Sequence, residues 1–427
     1  HMKTKKNRVV PKLRFPEFRD GGDWEEKNLI DVADKGVKWS FIGGPFGSNL
    51  KASDYTNKGV RVIQLQNIGD GEFVNDSKIY TSVEKADELL ANNIYPHDII
   101  MSKMGDPVGR ACIIPDTHDR YVMCSDGIRL VVDEDKYSKY FVYSFINSDT
   151  FRASVESKST GSTRKRIGLS HLKNLTLLIP NLPEQQKIAD CLSSLDDLIN
   201  AENEQLDALQ EYKAGLLQQL FPAEGETTPK LRFAEFKDDG DWEEVKLGDL
   251  CKVLMCKRIF ADQTNTLQGV PFYKIGTLGS SPDAFISQDL YEDYKNRYNF
   301  PKQGEVLLTC SGTVGKTIIY DGEDAYYQDS NIVWLDNPMQ RVKNELLYYI
   351  INNVNWGILN STTITRIYGD DLRRLNIQFP SCSKEQQKIV DCLSSLDNLI
   401  QAKDSQIDTL KNHKQGLMQQ LFPTKCK

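Results

Sequence analysis

The 427-residue chain is 39% hydrophobic and 26% charged, with a formal net charge of −7. Such a length provides for two or three domains with real cores, and the lack of any run of about 18 apolar residues excludes a helical membrane span, so the expected location is the cytoplasm. Nine cysteines occur as singletons without paired short spacings, which argues against a disulfide scaffold and for reduced thiols. Cys251 and Cys256 lack the histidine or second cysteine pair that would complete a zinc site.

In chain order, His1 and Met2 read as a cloning remnant and residues 1–10 as a disordered start. Pro11–Val32 (PKLRFPEFRDGGDWEEKNLIDV) returns as Pro229–Leu250 (PKLRFAEFKDDGDWEEVKLGDL), with 15 of 22 residues kept. The short β-type runs Val60–Leu65, Ile99–Met101 and Ile128–Val132, broken by Gly, Pro, Asn and Asp, predict an α+β module over 11–183. A long helix is expected over 184–222. A second α+β module spans 223–384, with β-type runs at Val306–Thr309 and Ile332–Leu335, and a second long helix with its tail spans 385–427. Glu184–Pro222 and Glu385–Pro423 keep 26 of 39 residues. The modules themselves have drifted, leaving weak correspondences between Gly59–Ile68 and Gly269–Leu278, between Pro96–Ile114 and Pro301–Ile319, and between the stretches closing each module. A duplicated scaffold thus carries two different variable modules.

In the helical repeat, apolar residues alternate at spacings of four and three: Ile188, Leu192, Leu195, Ile199, Leu206, Leu209, Leu216 and Leu220, then Ile389, Leu393, Leu396, Ile400, Ile407, Leu410, Leu417 and Leu421. This is a coiled-coil seam, interrupted at Glu202 and Lys213 and, in the copy, at Lys403 and Lys414. Proline just before the first helix and Leu-Phe-Pro at each end bound the helices. One such stripe cannot be buried alone, so the two helices are expected to pair antiparallel, giving a pseudo-twofold internal repeat. Full overlap places Glu202 opposite Lys403, as a register-fixing pair or as two side chains reaching out to water. Each helix would be roughly 55 Å long against about 34 to 36 Å for a turn of B-DNA, the proportions of a ruler.

Charge is distributed unevenly. Residues 33–183 hold 19 Lys and Arg against 18 Asp and Glu, and residues 251–384 hold 14 against 14, so the acidity belongs to the scaffold. The modules are free to present a basic face, although composition alone does not predict one.

The doubled order PxLRFxEF…DWEE, module, EQQKI helix, with Gly44–Ser48 (GPFGS) in the first module and the LSHLKNLTLLIP and DDLRRLNIQFP approaches to the helices, resembles the DNA-specificity (S) subunit of type I restriction-modification systems over nearly the whole chain. The resemblance implies two globular target-recognition domains, each reading one half of a bipartite site in double-stranded DNA. It implies two long conserved helices that hold them apart and recruit two methyltransferase (M) subunits. Motor-nuclease (R) subunits join through the complex. The outer helix faces and the LRFxEF…DWEE segments are the expected partner surface, with capping of the module as the plain alternative for DWEE. No cofactor is expected in this chain; S-adenosylmethionine, ATP and Mg would reside in the partners.

Within that resemblance, the candidate DNA-contacting residues start with Lys158, Ser159, Thr160, Gly161, Ser162, Thr163, Arg164 and Lys165, with Arg166 adding charge. Small and hydroxyl residues there allow close phosphate approach. Their counterparts are Thr362, Thr363 and Arg366. Gln64, Gln66 and Asn67 carry amides suited to adenine edges. Gly44, Phe46, Gly47 and Ser48 with Lys51 form a glycine-permitted loop that Phe46 would anchor. The second module lacks GPFGS and has Lys257 and Arg258 near that place. Lys103 and Arg110, with Lys274, Ser311, Thr313 and Lys316 in the second module, complete the set.

No catalytic residue is expected. Cys310–Thr317 (CSGTVGKT) lacks the first glycine of a phosphate loop and reads as strand-turn-strand. Neither a base-holding Asn/Asp-Pro-Pro-aromatic segment nor a G-x-G-x-x-G loop occurs, and the five histidines are scattered. Two other readings stand beside the DNA reader: a coiled-coil protein-interaction scaffold without DNA specificity, and an autonomous DNA-modifying enzyme.

Overall fold

The computed structural model describes residues 9–162, 164–356 and 366–423. Compactness divides the chain inside the two long helices and not at their ends: one unit holds the residues up to Asn203 together with those from Ser405, the other Glu204–Asp404.

In the first unit, a four-stranded antiparallel sheet orders Phe41–Gly43, Gly127–Leu130, Ile99–Ser102 and Ala111–Ile113. A five-stranded sheet orders Tyr55–Thr56, Ile79–Thr81, Val60–Ile63, Tyr121–Met123 and Asn93–Ile94, with Val60–Ile63 parallel to Tyr121–Met123. The second unit repeats the plan. Lys252–Leu254, Ile332–Asp336, Val306–Thr309 and Thr317–Ile319 form its four-stranded sheet, and Val270–Tyr273 lies between Phe285–Ile286 and, in parallel, Tyr326–Tyr327. Gly59 and Gly269 open the equivalent strands with φ of 135° and 132°, and at each a Cβ would meet a facing carbonyl oxygen at 2.2 Å, so only glycine fits. The CSGTVGKT segment is the hairpin between Val306–Thr309 and Thr317–Ile319, as read from sequence.

The repeated motifs have a structural explanation. DWEE contributes a strand, Glu25–Asn28, that pairs with Thr176–Ile179 just before the first long helix, and Glu243–Lys246 pairs likewise with Asn376–Phe379. Arg14 grips Glu184 at the helix start through two bonds of 2.7 Å, with side chains 8% and 1% exposed, while Nη1 donates to the carbonyls of Gly21 and Gly22. Arg232 repeats this on Glu385, Asp239 and Gly240. Gln185 and Gln386 then stitch the helix to the module: each amide oxygen accepts a backbone N–H, from Ser138 and Lys343, and each amide nitrogen donates to a proline carbonyl, of Pro180 and Pro380. Within LRFxEF…DWEE the arginine and the tryptophan turn inward in both copies, while Glu17, Asp23, Glu25 and Glu26, and in the copy Glu235, Asp241 and Glu244, stay exposed, and Leu13 and Leu231 are about two-fifths exposed. The Val9 carbonyl accepts the Trp24 N–H, and Val9 packs on the first core.

The long helices run Leu182–Leu220 and Ser383–Leu421. In the first unit the start of one and the end of the other share a core, Ile188 and Leu192 with Leu421 and Phe422; in the second, Leu216 and Leu220 share one with Ile389 and Leu393. Beginning meets end in both, so the helices pair antiparallel. None of the sixteen seam residues is exposed. Two of the seam's lysines are ion-paired across it: Lys414 Nζ lies 2.5 and 2.7 Å from the Asp196 carboxylate, and Lys213 pairs with Asp397. Each aspartate also accepts a tyrosine hydroxyl, from Tyr140 and Tyr349. Glu202 accepts from Gln406, and Lys403 donates to Gln205.

Candidate nucleic-acid interface

One end of the first unit's sheets gathers most of the candidate residues. Parallel strands Val60–Ile63 and Tyr121–Met123 finish together, the Cys124 N–H donating to the Ile63 carbonyl, so the Gln64 turn lies beside the Cys124–Gly127 turn. That turn receives two neighbours, and a third docks on the second of them. The Gly44 N–H donates to Gly127, the Lys103 N–H donates to Asp126, and Ile167 donates back to Lys103. Thr160 and Arg166 close the following loop with reciprocal bonds of 2.9 and 2.8 Å, and Gly161 within it has φ of 103°.

The side chains divide into two groups. Lys51, Gln66, Lys158, Thr160, Gly161, Ser162, Arg164 and Arg166 are exposed, and Gln64, Lys103, Ser159 and Lys165 are half-buried. Asp126, largely buried, pairs with Arg166 and lies 3.9 Å from Lys103, while Lys165 pairs with Glu156. No ion pair among the described residues holds Arg164. The Gln66 amide donates to the Gln64 side-chain oxygen, leaving an exposed carbonyl and amide pair at the turn.

Three expectations are corrected. Asn67 is 1% exposed; its Nδ2 donates to the carbonyls of Val74 and Ser77 and its Oδ1 accepts from Gln64 N, so no donor is left for a base. The Arg110 guanidinium is engaged by the carbonyls of Leu65, Ile68 and Pro107, which makes it the brace of the Gln64 turn and not a free phosphate ligand. Phe46 does not anchor its loop: it is 82% exposed, and Pro45 and Leu50 are the buried members.

The second unit has the same frame with different occupants. Cys310 N–H donates to Asn331, Ile367 donates to Cys310, and Ser311 bridges Arg366 as Met104 bridges Arg166. Lys103 therefore corresponds to Cys310, Asp126 to Asn331, and Arg166 to Arg366. Gln328 donates to Tyr273 as Cys124 does to Ile63, which puts Lys274 at the place of Gln64; its Nζ is paired with Asp283. The half-buried Lys316 sits at the place of Arg110, Ser311 donates to Asn331, and Thr313 is exposed with its carbonyl accepting from Thr309. The caps of the next turns align Lys51 with Phe260, so Lys257 and Arg258 stand at Ser48 and Asn49 and not at the glycine stem. Arg258 pairs with Asp329 and Lys257 lies over the Tyr298 ring. Thr163, Thr362 and Thr363 lie outside the described residues.

Arg366, expected as a counterpart of the basic loop, falls at the place of Arg166 in particular. Its signal in the sequence is an Arg-Ile pair whose isoleucine, Ile167 or Ile367, stands five residues before Leu172 or Leu372. Burial pushes the thiols of Cys112, Cys251 and Cys256 up to about 12 and that of Cys310 up to about 11, so these are packing residues and not nucleophiles. Among the described residues, no group of His, Cys, Asp and Glu is arranged to hold a metal, and no helix is long and apolar enough to cross a membrane.

This duplicated arrangement has known counterparts. The chain matches the family model of the type I restriction modification DNA specificity domain twice, over residues 22–211 and 239–412. It is 35% identical over 272 residues to a putative type I restriction enzyme specificity subunit from Haemophilus influenzae, covering 64% of this chain and 68% of the relative. A putative type I restriction enzyme MjaX specificity subunit from Methanocaldococcus jannaschii is 21% identical over 425 residues, 95% of this chain and 94% of the relative. In fold, the chain is similar to the S subunit of a type I restriction-modification system from M. genitalium, with a TM-score of 0.59 at 15% identity, over 98% of this chain and 100% of that one. With the family model covering both modules, the chain belongs to the type I restriction-modification DNA specificity family and carries its domain twice.

Proposed function

We propose that the chain is the noncatalytic DNA-recognition subunit of a type I restriction-modification complex, in which each unit reads one half of a bipartite site. The observation that carries this is the shared frame: two modules of unlike sequence present the equivalent arginines Arg166 and Arg366 beside turns that differ, Asp126 in one and Asn331 in the other. Arginines, lysines and glycine loops at that end supply phosphate contacts that orient each unit, and Gln64, Gln66 and the side chains flanking Asn331 supply base-edge contacts. The antiparallel helices set the gap between half-sites, and their outer faces receive two methyltransferase subunits, with the motor-nuclease joining through the complex in the cytoplasm. S-adenosylmethionine, ATP and Mg reside in those partners.

Selection from random duplexes tests the reading. A two-part motif with a fixed gap should be enriched, and affinity should fall linearly on a log scale with added salt. Enrichment of no motif, or methyl transfer or cleavage by the purified chain alone, would overturn it.

A further inference from the structure

Phe46 stands at the apex of a loop fixed on both sides. Its stem is held where the Gly44 N–H donates to the Gly127 carbonyl at 2.7 Å, and no side chain fits at Gly44, because a Cβ would lie 1.7 Å from the Cys124 carbonyl oxygen. Pro45 is buried, Asn49 N–H closes the turn on the Phe46 carbonyl at 2.8 Å, Leu50 is 8% exposed in a core cluster, and the Lys51 N–H is capped by Asp54. A loop so tied has no conformational reason to leave a phenyl ring 82% in water. The cost of holding that ring in water falls away only if something else covers it.

Two neighbours indicate what covers it. The stem rests on the Cys124–Gly127 turn, whose Asp126 also gathers Lys103 and Arg166, so the loop carrying the ring rises beside two cationic side chains. Gly47, next to the ring, has no positive φ, and a Cβ there would meet nothing within 4 Å. Neither backbone conformation nor crowding inside the chain calls for glycine at that place, whereas a slim shoulder beside an apolar wedge suits close approach to a stacked polymer.

We propose that Phe46 enters a base step of the DNA bound by the first unit, partly unstacking it, so that sequence is read there through the ease of deforming that step. This rests on the DNA-recognition reading and adds a role that hydrogen-bond donors cannot fill. The second unit lacks the glycine stem and places Phe260, 59% exposed, at the position of Lys51, so the wedge is a property of one half-site only.

Once the two-part motif is known, 2-aminopurine placed at each position in turn of a duplex reports unstacking on binding by the full chain with its methyltransferase subunits. Apart from the base that each methyltransferase subunit flips out, the expected result is one further fluorescence rise, confined to a step of the half-site read by the first unit. Phe46→Ala should abolish that rise and weaken binding roughly tenfold or more, Phe46→Trp should retain it, and Phe260→Ala should leave it unchanged. Gly47→Val should weaken DNA binding with an unaltered melting temperature. If the complex binds its motif and no step responds besides the flipped bases, or if Phe46→Ala binds as tightly as the parent, the wedge is wrong while DNA recognition stands. If Phe46→Ala instead loosens the methyltransferase subunits and leaves the fluorescence rise intact, the ring is a protein contact and the proposal falls. Failure to bind any two-part motif would remove the DNA reading itself.

Discussion

Replacing Glu184 by glutamine should loosen the joint between the first long helix and its module, and the cost follows from geometry. The carboxylate accepts Arg14 Nε and Nη2 at 2.7 Å each and Trp24 Nε1 at 3.3 Å, with the Glu184 side chain 1% exposed. The hydrogen bonds to this carboxylate, and then its charge, hold the Arg14 guanidinium above its ordinary pKa. A glutamine amide turns two donors toward a guanidinium that has only donors, so one bond is lost and a buried cation is left without its counter-ion. Removing one partner of such a pair costs about 3–5 kcal/mol, against about 5–15 kcal/mol for the stability of a whole domain. Removing both partners leaves no uncompensated charge, so Arg14→Met combined with Glu184→Met should cost much less than the sum of the two single changes.

The substitution acts at one joint, so the test needs a local probe. Hydrogen exchange read by mass spectrometry on peptides spanning residues 188–196 should speed up by roughly a hundredfold or more in Glu184→Gln, while peptides spanning 389–397, which depend on the Arg232–Glu385 copy, keep their protection. Unchanged exchange, equal loss in both segments, or a double variant as weak as the summed singles would refute the argument.

Other predictions address the interface and the core. Arg166→Ala and Arg366→Ala should each weaken binding at their own half-site and lower the slope of log affinity against log salt by about 1, as filter binding at several ionic strengths would measure. Glu305 is 6% exposed, and burial raises its carboxyl pKa. A raised folded value means the native state binds the extra proton, so stability falls as pH rises from the ordinary carboxylate range through the folded value. Glu305→Gln should thus raise the melting temperature at pH 8 and lose that advantage near pH 4, because the amide oxygen can still accept the Lys302 N–H. Alkylation at pH 8, located by peptide mapping, should modify the half-buried Cys191, Cys382 and Cys392 before the buried Cys112, Cys251, Cys256 and Cys310, which should react only on unfolding.

The parts legible in the sequence are those governed by a period. Seam residues such as Ile188 and Leu192 declare their helix face through spacing alone, and the seam's lysines were visible as interruptions whose partners, Asp196 and Asp397, lie on the facing helix. Strands Val306–Thr309 and Ile332–Asp336 were legible because apolar β-formers run unbroken between turn residues. Turns obey no such period. Gln64, Gln66 and Asn67 are neighbours of one chemistry, yet Asn67 alone faces inward because two carbonyls, of Val74 and Ser77, converge on its amide. Arg110 reads as a phosphate ligand until the carbonyls of Leu65 and Ile68 appear beside it from more than 40 residues away. Phe46 reads as an anchor because phenylalanine usually is one. The repeated Arg14 and Glu184 were each conspicuous, but that each existed to hold the other depended on a contact across 170 residues.

If the paired helices act as a spacer, the length to add to them is set by DNA as much as by protein. One heptad preserves the seam, since its apolar spacing repeats every 3.5 residues, and lengthens a helix by about 10 Å, close to three base pairs. Three base pairs also turn the duplex by about 100°, so a recognition surface moved along the axis by that amount no longer faces its groove. Three heptads inserted in both helices, after Leu206 and after Ile407, add roughly 31 Å, about nine base pairs and nearly a full turn, which restores the facing. The three-heptad chain should therefore select the same two half-sites with a gap about nine base pairs longer, and bind them more tightly than the one-heptad chain binds any site. Methylation mapping in cells carrying the complete system measures both the bases and the gap. Altered half-site bases would mean that the helices take part in reading sequence, and an unaltered gap would mean that something other than helix length sets it.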